Sequence, residues 1–256
     1  MCAQILVAED NPISGRVTRD LLVKAGHHVD VVENGLQVLE AVGRCQYDFV
    51  LLDCQMPELD GYETVRALRT ATQTMHLKVL AMTASVMTGD RELCLQAGMD
   101  DHVAKPFTPA ELLARVDEWL RRPGRVPSST WTLPSVTNRA LVDVPALEDL
   151  LPLDDGGLLR DLALLVHASM RQGLLDLQDA MAREDWLAAA RTAHSLKSSV
   201  GAVGLLPLAE LAGHLEQHAR QQNVAQFQDA FATFQSLGAT SLLALDEAVA
   251  KLLPGL

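Results

Sequence analysis

Cysteine is scarce in this chain and never paired: Cys2, Cys45, Cys54 and Cys94 share no C-x-x-C spacing. That pattern excludes a disulfide framework and a zinc site, and it fits a reducing compartment. Cys54 directly follows Asp53, but a lone cysteine of this kind is ordinarily a small hydrophobe. No apolar run approaches the roughly 18–20 residues that span a bilayer, so membrane insertion by this chain is not expected. Basic runs are missing too, and the formal charge is −12, which excludes nucleic acid as a partner bound through its phosphates. The opening MCAQILVAEDN meets acid at Glu9 with no basic residue before it, so no secretory signal is expected. Neither a Gly-rich ATP-binding segment nor a P-loop occurs, which argues against kinase activity by the chain itself.

What is present is the composition of a globular protein, 48% apolar and 21% charged, in 256 residues that suit two ordinary domains. Residues 123–142, PGRVPSSTWTLPSVTNRALV, break the pattern with three prolines, three serines and three threonines and no period of 2 or 3.6. They are expected to form a linker between domains at 1–122 and 143–256, with Trp131 and Leu133 able to dock on a neighbouring surface. In the first block, short apolar runs at 3–8, 28–32, 48–53, 77–83 and 101–104 alternate with amphipathic segments such as PISGRVTRDLLVKAG. This alternation predicts an α/β doubly wound, five-stranded parallel sheet covered on both faces. The second block carries only helical periods: a short helix at 144–151, then 156–182, 185–202, 205–222 and 224–251, the last capped by Asn223. An all-α antiparallel four-helix bundle follows from those lengths and short connections.

Ligands of a doubly wound sheet bind outside the carboxyl ends of its strands. Glu9 and Asp10 end the first strand, Asp53 the third and Thr83 the fourth, while Lys105 follows the fifth. Each has a bland reading alone: Asp10 as an N-cap before Pro12, Asp53 as the start of a turn, Thr83 as a β-branched strand end, Lys105 as a solvated charge. Their joint occurrence at four strand ends predicts one pocket instead. Three carboxylates repel one another and require a cation, and hard oxygen ligands with open positions favour Mg²⁺. Such a metal can also take a phosphoryl oxygen, leaving the others to a lysine and a hydroxyl.

In AHSLKSSVGAVG, residues 193–204, the stripe Ala189, Ala193, Leu196, Val200 and Val203 marks the core face of a helix. His194 lies roughly 140° from the centre of that stripe, so it is expected to face solvent. Ser198 and Gly201 keep the same side small, and Lys197 and Arg191 flank it with positive charge. An exposed imidazole in such surroundings suits nucleophilic phosphoryl transfer. An ordinary solvated histidine is the bland alternative, and His27, His28, His76 and His167 are read that way.

Residues 3–122 resemble a response-regulator receiver domain, through Glu9-Asp10, LLDCQMPELDGYE at 51–63, MTA at 82–84 and KPF at 105–107. The resemblance implies a flavodoxin-like fold in which Asp53 is the phosphoacceptor. It also implies that Glu9, Asp10, Asp53 and the Gln55 backbone carbonyl hold Mg²⁺, that Thr83 and Lys105 contact the phosphoryl group, and that the Lys105–Pro106 bond is cis. His102 stands where many receivers carry a Tyr or Phe that swings inward on phosphorylation, and Gln55 and Ser85 flank the pocket, where they would tune attack by water.

Residues 143–251 are similar to histidine-containing phosphotransfer (HPt) domains, whose motif runs His, any residue, Leu, Lys and commonly Gly. Here it reads His194, Ser195, Leu196, Lys197, Ser198. Together the two resemblances imply a phosphorelay protein like the C-terminal part of a hybrid sensor histidine kinase, in the cytoplasm or at the cytoplasmic end of a membrane-anchored kinase. Asp53 would accept a phosphoryl group from an upstream sensor kinase phosphohistidine, and His194 would pass it to the aspartate of a downstream response-regulator receiver. Two rivals are an aspartyl-phosphate hydrolase and a degenerate receiver serving only as an interaction module. Hydrolases of that kind commonly place a second acid where Gln55 stands, and the intact set Glu9, Asp10, Asp53, Thr83 and Lys105 argues against degeneracy.

Overall fold

Aliphatic and β-branched runs bounded by turn residues form five strands in the computed structural model, which describes residues 2–83, 88–105, 107–122, 140–151 and 157–253. Ala84, Ser85, Pro106 with its expected cis bond, and Trp131 and Leu133 of the expected linker lie outside the described residues. The chain divides into two compact units, Met1–Ser135 and Val136–Leu256.

In the first unit, β1 (Gln4–Ala8), β2 (His28–Val32), β3 (Phe49–Asp53), β4 (Lys78–Thr83) and β5 (Asp101–Ala104) alternate with α1 (Pro12–Lys24), α2 (Gly35–Arg44), α3 (Gly61–Thr70), α4 (Thr88–Ala97) and α5 (Pro109–Arg121). The strands form one parallel sheet in the order β2-β1-β3-β4-β5. Leu6, Ala8, Val50, Leu52, Val79 and Ala81 share a core with Val38 of α2 and Val65 and Leu68 of α3. The alternate residues Ile5, Val7, Phe49, Leu51, Leu80 and Met82 are equally buried. Burial on both faces is why these strands read as continuous apolar runs. Edge strand β2 is more open, which its polar His28 and Asp30 reflect.

The loops after the strands are built to hold their ends in place. Asn11, not Asp10, caps α1: its side chain accepts hydrogen bonds from the Ile13 and Ser14 N–H groups at 3.0 and 3.1 Å, with Pro12 in the first turn. Asp10 is thereby released from the bland role considered for it. Gly61 opens α3 where the chain folds back on β3, and its N–H donates to the Cys54 carbonyl at 3.1 Å. A Cβ at Gly61 would lie 2.3 Å from the Asp53 carbonyl oxygen, so only glycine fits without displacing the strand end. Cys54 itself is buried in the sheet core, its Sγ 3.7 Å from that of Cys94. The hydrogen bond with Cys94 and burial hold its thiol well above the usual range, so it behaves as a small core hydrophobe.

The second unit contains a short α6 (Val144–Glu148) and four long helices, α7 (Gly157–Ala182), α8 (Trp186–Gly201), α9 (Leu206–Arg220) and α10 (Val224–Leu252). Asp185 and Asn223 cap α8 and α10 by accepting from Ala188 and Gln226 N–H groups. Helix α8 packs against both α7 and α9. Gly173 lets α7 approach closely, since a Cβ there would come within 2.6 Å of Leu196. Ala189, Ala190 and Ala193 of α8 and Ala209 and Ala212 of α9 are almost completely buried, so small residues line the packed faces of both helices.

Candidate functional site

Adjacent strands β1 and β3 end in carboxylates at the point where the strand order reverses. Glu9, Asp10 and Asp53 each offer a carboxylate oxygen within 4.8 Å of the other two. Glu9 and Asp53 are buried and Asp10 is half-buried. The Asp53 carboxylate is held at both oxygens. Oδ1 accepts the Gln55 N–H at 3.0 Å, and Oδ2 accepts from Lys105 Nζ at 2.5 Å. Lys105 Nζ also donates to Glu9 Oε2, so one buried ammonium bridges two strand ends. Its backbone is fixed by β4: the Lys105 N–H donates to the Thr83 carbonyl at 2.6 Å. The pocket thus brings together Glu9, Asp10, Asp53 and Lys105, with the Thr83 and Gln55 backbones bonded to its members.

The electrostatics are strained toward one sign. Burial pushes the Glu9 carboxyl up to about 7; Lys105 opposes this, while Asp53 and Asp10 add to it. Burial also disfavours the charge on Lys105, but Asp53 and Glu9 outweigh it and hold the ammonium above its usual range. Three carboxylates face one ammonium, and Glu9 Oε1 is buried with no hydrogen-bond partner among the described residues. An orphaned carboxylate oxygen beside two more acids is the donor set of a hard divalent cation, so these residues fit Mg²⁺.

His102 is buried in β5, its Nδ1 3.7 Å from the Asp101 carboxylate. Asp101 in turn accepts from Trp119 Nε1 at 3.1 Å.

In the helical unit the expected exposure of His194 is corrected. His194 is only 5% exposed, and Ser198 and Gly201, expected on the same outward side, are buried with it. The stripe from Ala189 to Val203 does face the core, as predicted. The error lay in allowing α8 one buried face: α9 covers a second, running through Ala190, His194 and Ser198. Lys197 is half-buried, its side chain lying along α9 beside Gly213, and Arg191 is exposed one turn before His194.

The packing of α9 also brings in a residue that the sequence reading missed. His194 Nδ1 lies 3.2 Å from Glu216 Oε2, and Glu216 Oε1 accepts from Arg220 Nη2 at 2.8 Å. Glu216 is 6% exposed. Burial alone would raise its carboxyl, but His194 and Arg220 pull it down to about 2. The signal was available, because Leu208, Ala209, Ala212, Leu215 and Ala219 form a buried stripe in which position 216 falls. An acid inside an apolar stripe requires a buried partner.

Comparison with known proteins accords with both units. Residues 5–117 match the response regulator receiver domain and residues 161–253 match the Hpt domain. The aerobic respiration control sensor protein ArcB of Escherichia coli (strain K12) is 32% identical over 214 residues, covering 83% of this chain and 27% of ArcB. The transcriptional activator protein IrlR of Burkholderia pseudomallei (strain 1026b) is 41% identical over 127 residues, 50% of this chain and 54% of that protein. The receiver domain of the sensor histidine kinase PA1611 from Pseudomonas aeruginosa PAO1, whose crystal structure has a magnesium ion in the active site cleft, is 40% identical. It covers 47% of this chain and 98% of its own, with a TM-score of 0.44. The chain therefore spans about a quarter of the length of its ArcB relative. The two domain matches and the similarity to ArcB support a phosphorelay role in two-component signalling.

Proposed function

The chain carries a response regulator receiver domain followed by an Hpt domain, and from that premise we propose that Asp53 and His194 are successive carriers of one phosphoryl group. The observation that carries the reading is the Asp53 carboxylate at the β3 end, bonded to the Gln55 N–H and the Lys105 ammonium beside Glu9 and Asp10. An Asp53 oxygen attacks the phosphorus of a phosphohistidine on an upstream sensor kinase. The P–N bond breaks as the P–O bond forms, and the imidazole leaves with the electron pair. Lys105 is placed to exchange its contact with Oδ2 for one with the incoming phosphoryl oxygens, and Thr83 contributes its hydroxyl. Glu9, Asp10, Asp53 and the Gln55 carbonyl would hold Mg²⁺, which when bound offsets the charge of the transferring group.

From Asp53 the group passes to His194 and then to the aspartate of a downstream response-regulator receiver. Lys197 and Arg191 supply positive charge near the ring, while Ser198 and Gly201 keep its helix face small enough for close approach. Because His194 is buried against α9, the partner pocket has to open the α8–α9 seam to reach it, which restricts transfer to a docked receiver. The cytoplasm, where kinases and response regulators meet, is the compartment this reading requires.

The receiver half is tested with acetyl phosphate and with beryllofluoride, a phosphoryl mimic. Mg²⁺-dependent binding of the mimic, and an acid-stable, alkali-labile label that is lost in Asp53→Ala, are the expected results. No binding and no label would leave the degenerate interaction module as the better reading.

A further inference from the structure

We propose that His214 and His218 form a binding site on α9 for a late divalent transition cation of the Ni²⁺, Cu²⁺ and Zn²⁺ class. Of the chain's eight histidines, only these two stand four residues apart, and both lie inside α9. Residues at that spacing stand one above the other on a single helix face. The ring centroids are 6.5 Å apart, with the planes inclined at 51°. His214 is exposed and His218 half-buried. This face is not the one that meets α8. Glu216, two residues from each histidine, lies about 160° around the helix from both, in the buried stripe with Ala212, Leu215 and Ala219. The other histidines of long helices are engaged: His167 with Asp246 at 2.9 Å and His194 with Glu216 at 3.2 Å. His218 Nδ1, by contrast, is buried with no hydrogen-bond partner among the described residues. A structural histidine ordinarily avoids that cost.

Imidazole nitrogens suit Ni²⁺, Cu²⁺ and Zn²⁺, whereas Mg²⁺ requires hard oxygen donors, so this pair and the acidic pocket of the first unit select different ions. Two histidines at i and i+4 are the means by which one helix face supplies two imidazoles to one ion. With metal–nitrogen bonds of about 2.1 Å, a tetrahedral ion needs the ring centroids about 5 Å apart. Rotation of the exposed His214 side chain closes that difference. Glu210, one turn before His214 on the same ridge, adds negative charge beside the cation. The neighbouring cation Arg220 is turned to Glu216, at 2.8 Å. Water fills the remaining coordination positions. The donors are nitrogens alone, so the unpaired cysteines have no bearing on the site. An ion held this way ties two successive turns of α9 and binds the folded helix only, so it stabilises the helical unit by mass action. The proposal does not depend on phosphoryl transfer.

The test titrates Ni²⁺ into the full chain, labelled with ¹⁵N-histidine, in excess Mg²⁺. Calorimetry gives the affinity, and ¹H–¹⁵N imidazole correlations locate the ion, with His214 and His218 assigned by the signals lost in His214→Ala and His218→Ala. In wild type the paramagnetic ion is expected to broaden His214 and His218 before the exposed His28 and His76. Each variant removes one of two ligands and should weaken this binding on the order of tenfold or more, since the second imidazole acts at high effective concentration. Ni²⁺ should also raise the melting temperature of the helical unit, followed by circular dichroism, in wild type and in neither variant. Equal affinity in all three proteins would place the ion at the acidic pocket or the exposed thiols and overturn the proposal. Binding weakened in only one variant would reduce the site to a single imidazole contact and overturn it equally.

Discussion

Replacing Glu9 with glutamine should make the first unit more stable at pH 8 in metal-free buffer, although it removes an ion pair with Lys105. Glu9 is buried at 2% exposure, and its carboxyl is raised from 4.5 to about 7, chiefly by burial. Below pH 4.5 the folded and unfolded chains both hold this proton, and Glu9 costs nothing. As pH rises toward 7 the unfolded chain ionises while the folded one retains the proton, so stability falls, and above about 7 the loss is complete. The displacement corresponds to about 3 kcal/mol. Glutamine cannot ionise and keeps an amide oxygen for Lys105, so Glu9→Gln should approach that gain at pH 8 in EDTA and lose most of it at pH 5. With Mg²⁺ the order should narrow or reverse, because the carboxylate is then a ligand. Urea unfolding read by hydrogen exchange of β1 and β3 amides separates this unit from the helical one. A Glu9→Gln protein less stable than wild type at pH 8 in EDTA, or a difference that does not change with pH, would refute the reasoning.

Three further outcomes are expected. Gly61→Ala places a Cβ against the backbone of Asp53 and Cys54; it should destabilise the first unit by about 1–3 kcal/mol and weaken Mg²⁺-dependent beryllofluoride binding, measured by ¹⁹F NMR. Diethylpyrocarbonate followed by peptide mass spectrometry should modify His194 more slowly than the exposed His28, His76 and His214, since only His194 of these lies in a helix seam. Glu216 is held at about 2 against 4.5 for an ordinary glutamate, so its contribution is present above pH 4.5 and lost as pH falls through about 2. Acid unfolding of the helical unit, followed by circular dichroism, should be correspondingly less steep in Glu216→Gln.

The sheet was legible in the residues because β1, β3 and β4 are buried on both faces, which turns each into an unbroken apolar run between turn formers. The pocket was legible because parallel topology forces strand ends to one edge: with Glu9, Asp53 and Lys105 at strand ends, the meeting of their side chains follows. What local patterns did not disclose were the contacts set by tertiary packing. Asn11 takes the cap position considered for Asp10, a difference of one residue in where α1 begins. A single apolar stripe predicts a solvent-facing His194, but that stripe does not define all of the buried surface of α8. In a bundle of small residues, two neighbours bury two faces of one helix. Glu216 had a local signal as an acid within an apolar stripe, but its link to a histidine 22 residues away required knowledge of how α8 and α9 pack.

The central claim is transfer from Asp53 to His194, and the chemical stability of the attached phosphoryl group tests it most directly. The protein is incubated with Mg²⁺ and labelled acetyl phosphate beside Asp53→Ala and His194→Ala, and the label is sorted by its survival in acid and in alkali. The account predicts an alkali-stable, acid-labile phosphohistidine at His194 in wild type, absent from both variants, with His194→Ala retaining an acid-stable label on Asp53. Label confined to Asp53 in wild type, or an alkali-stable label that persists in Asp53→Ala, would contradict it.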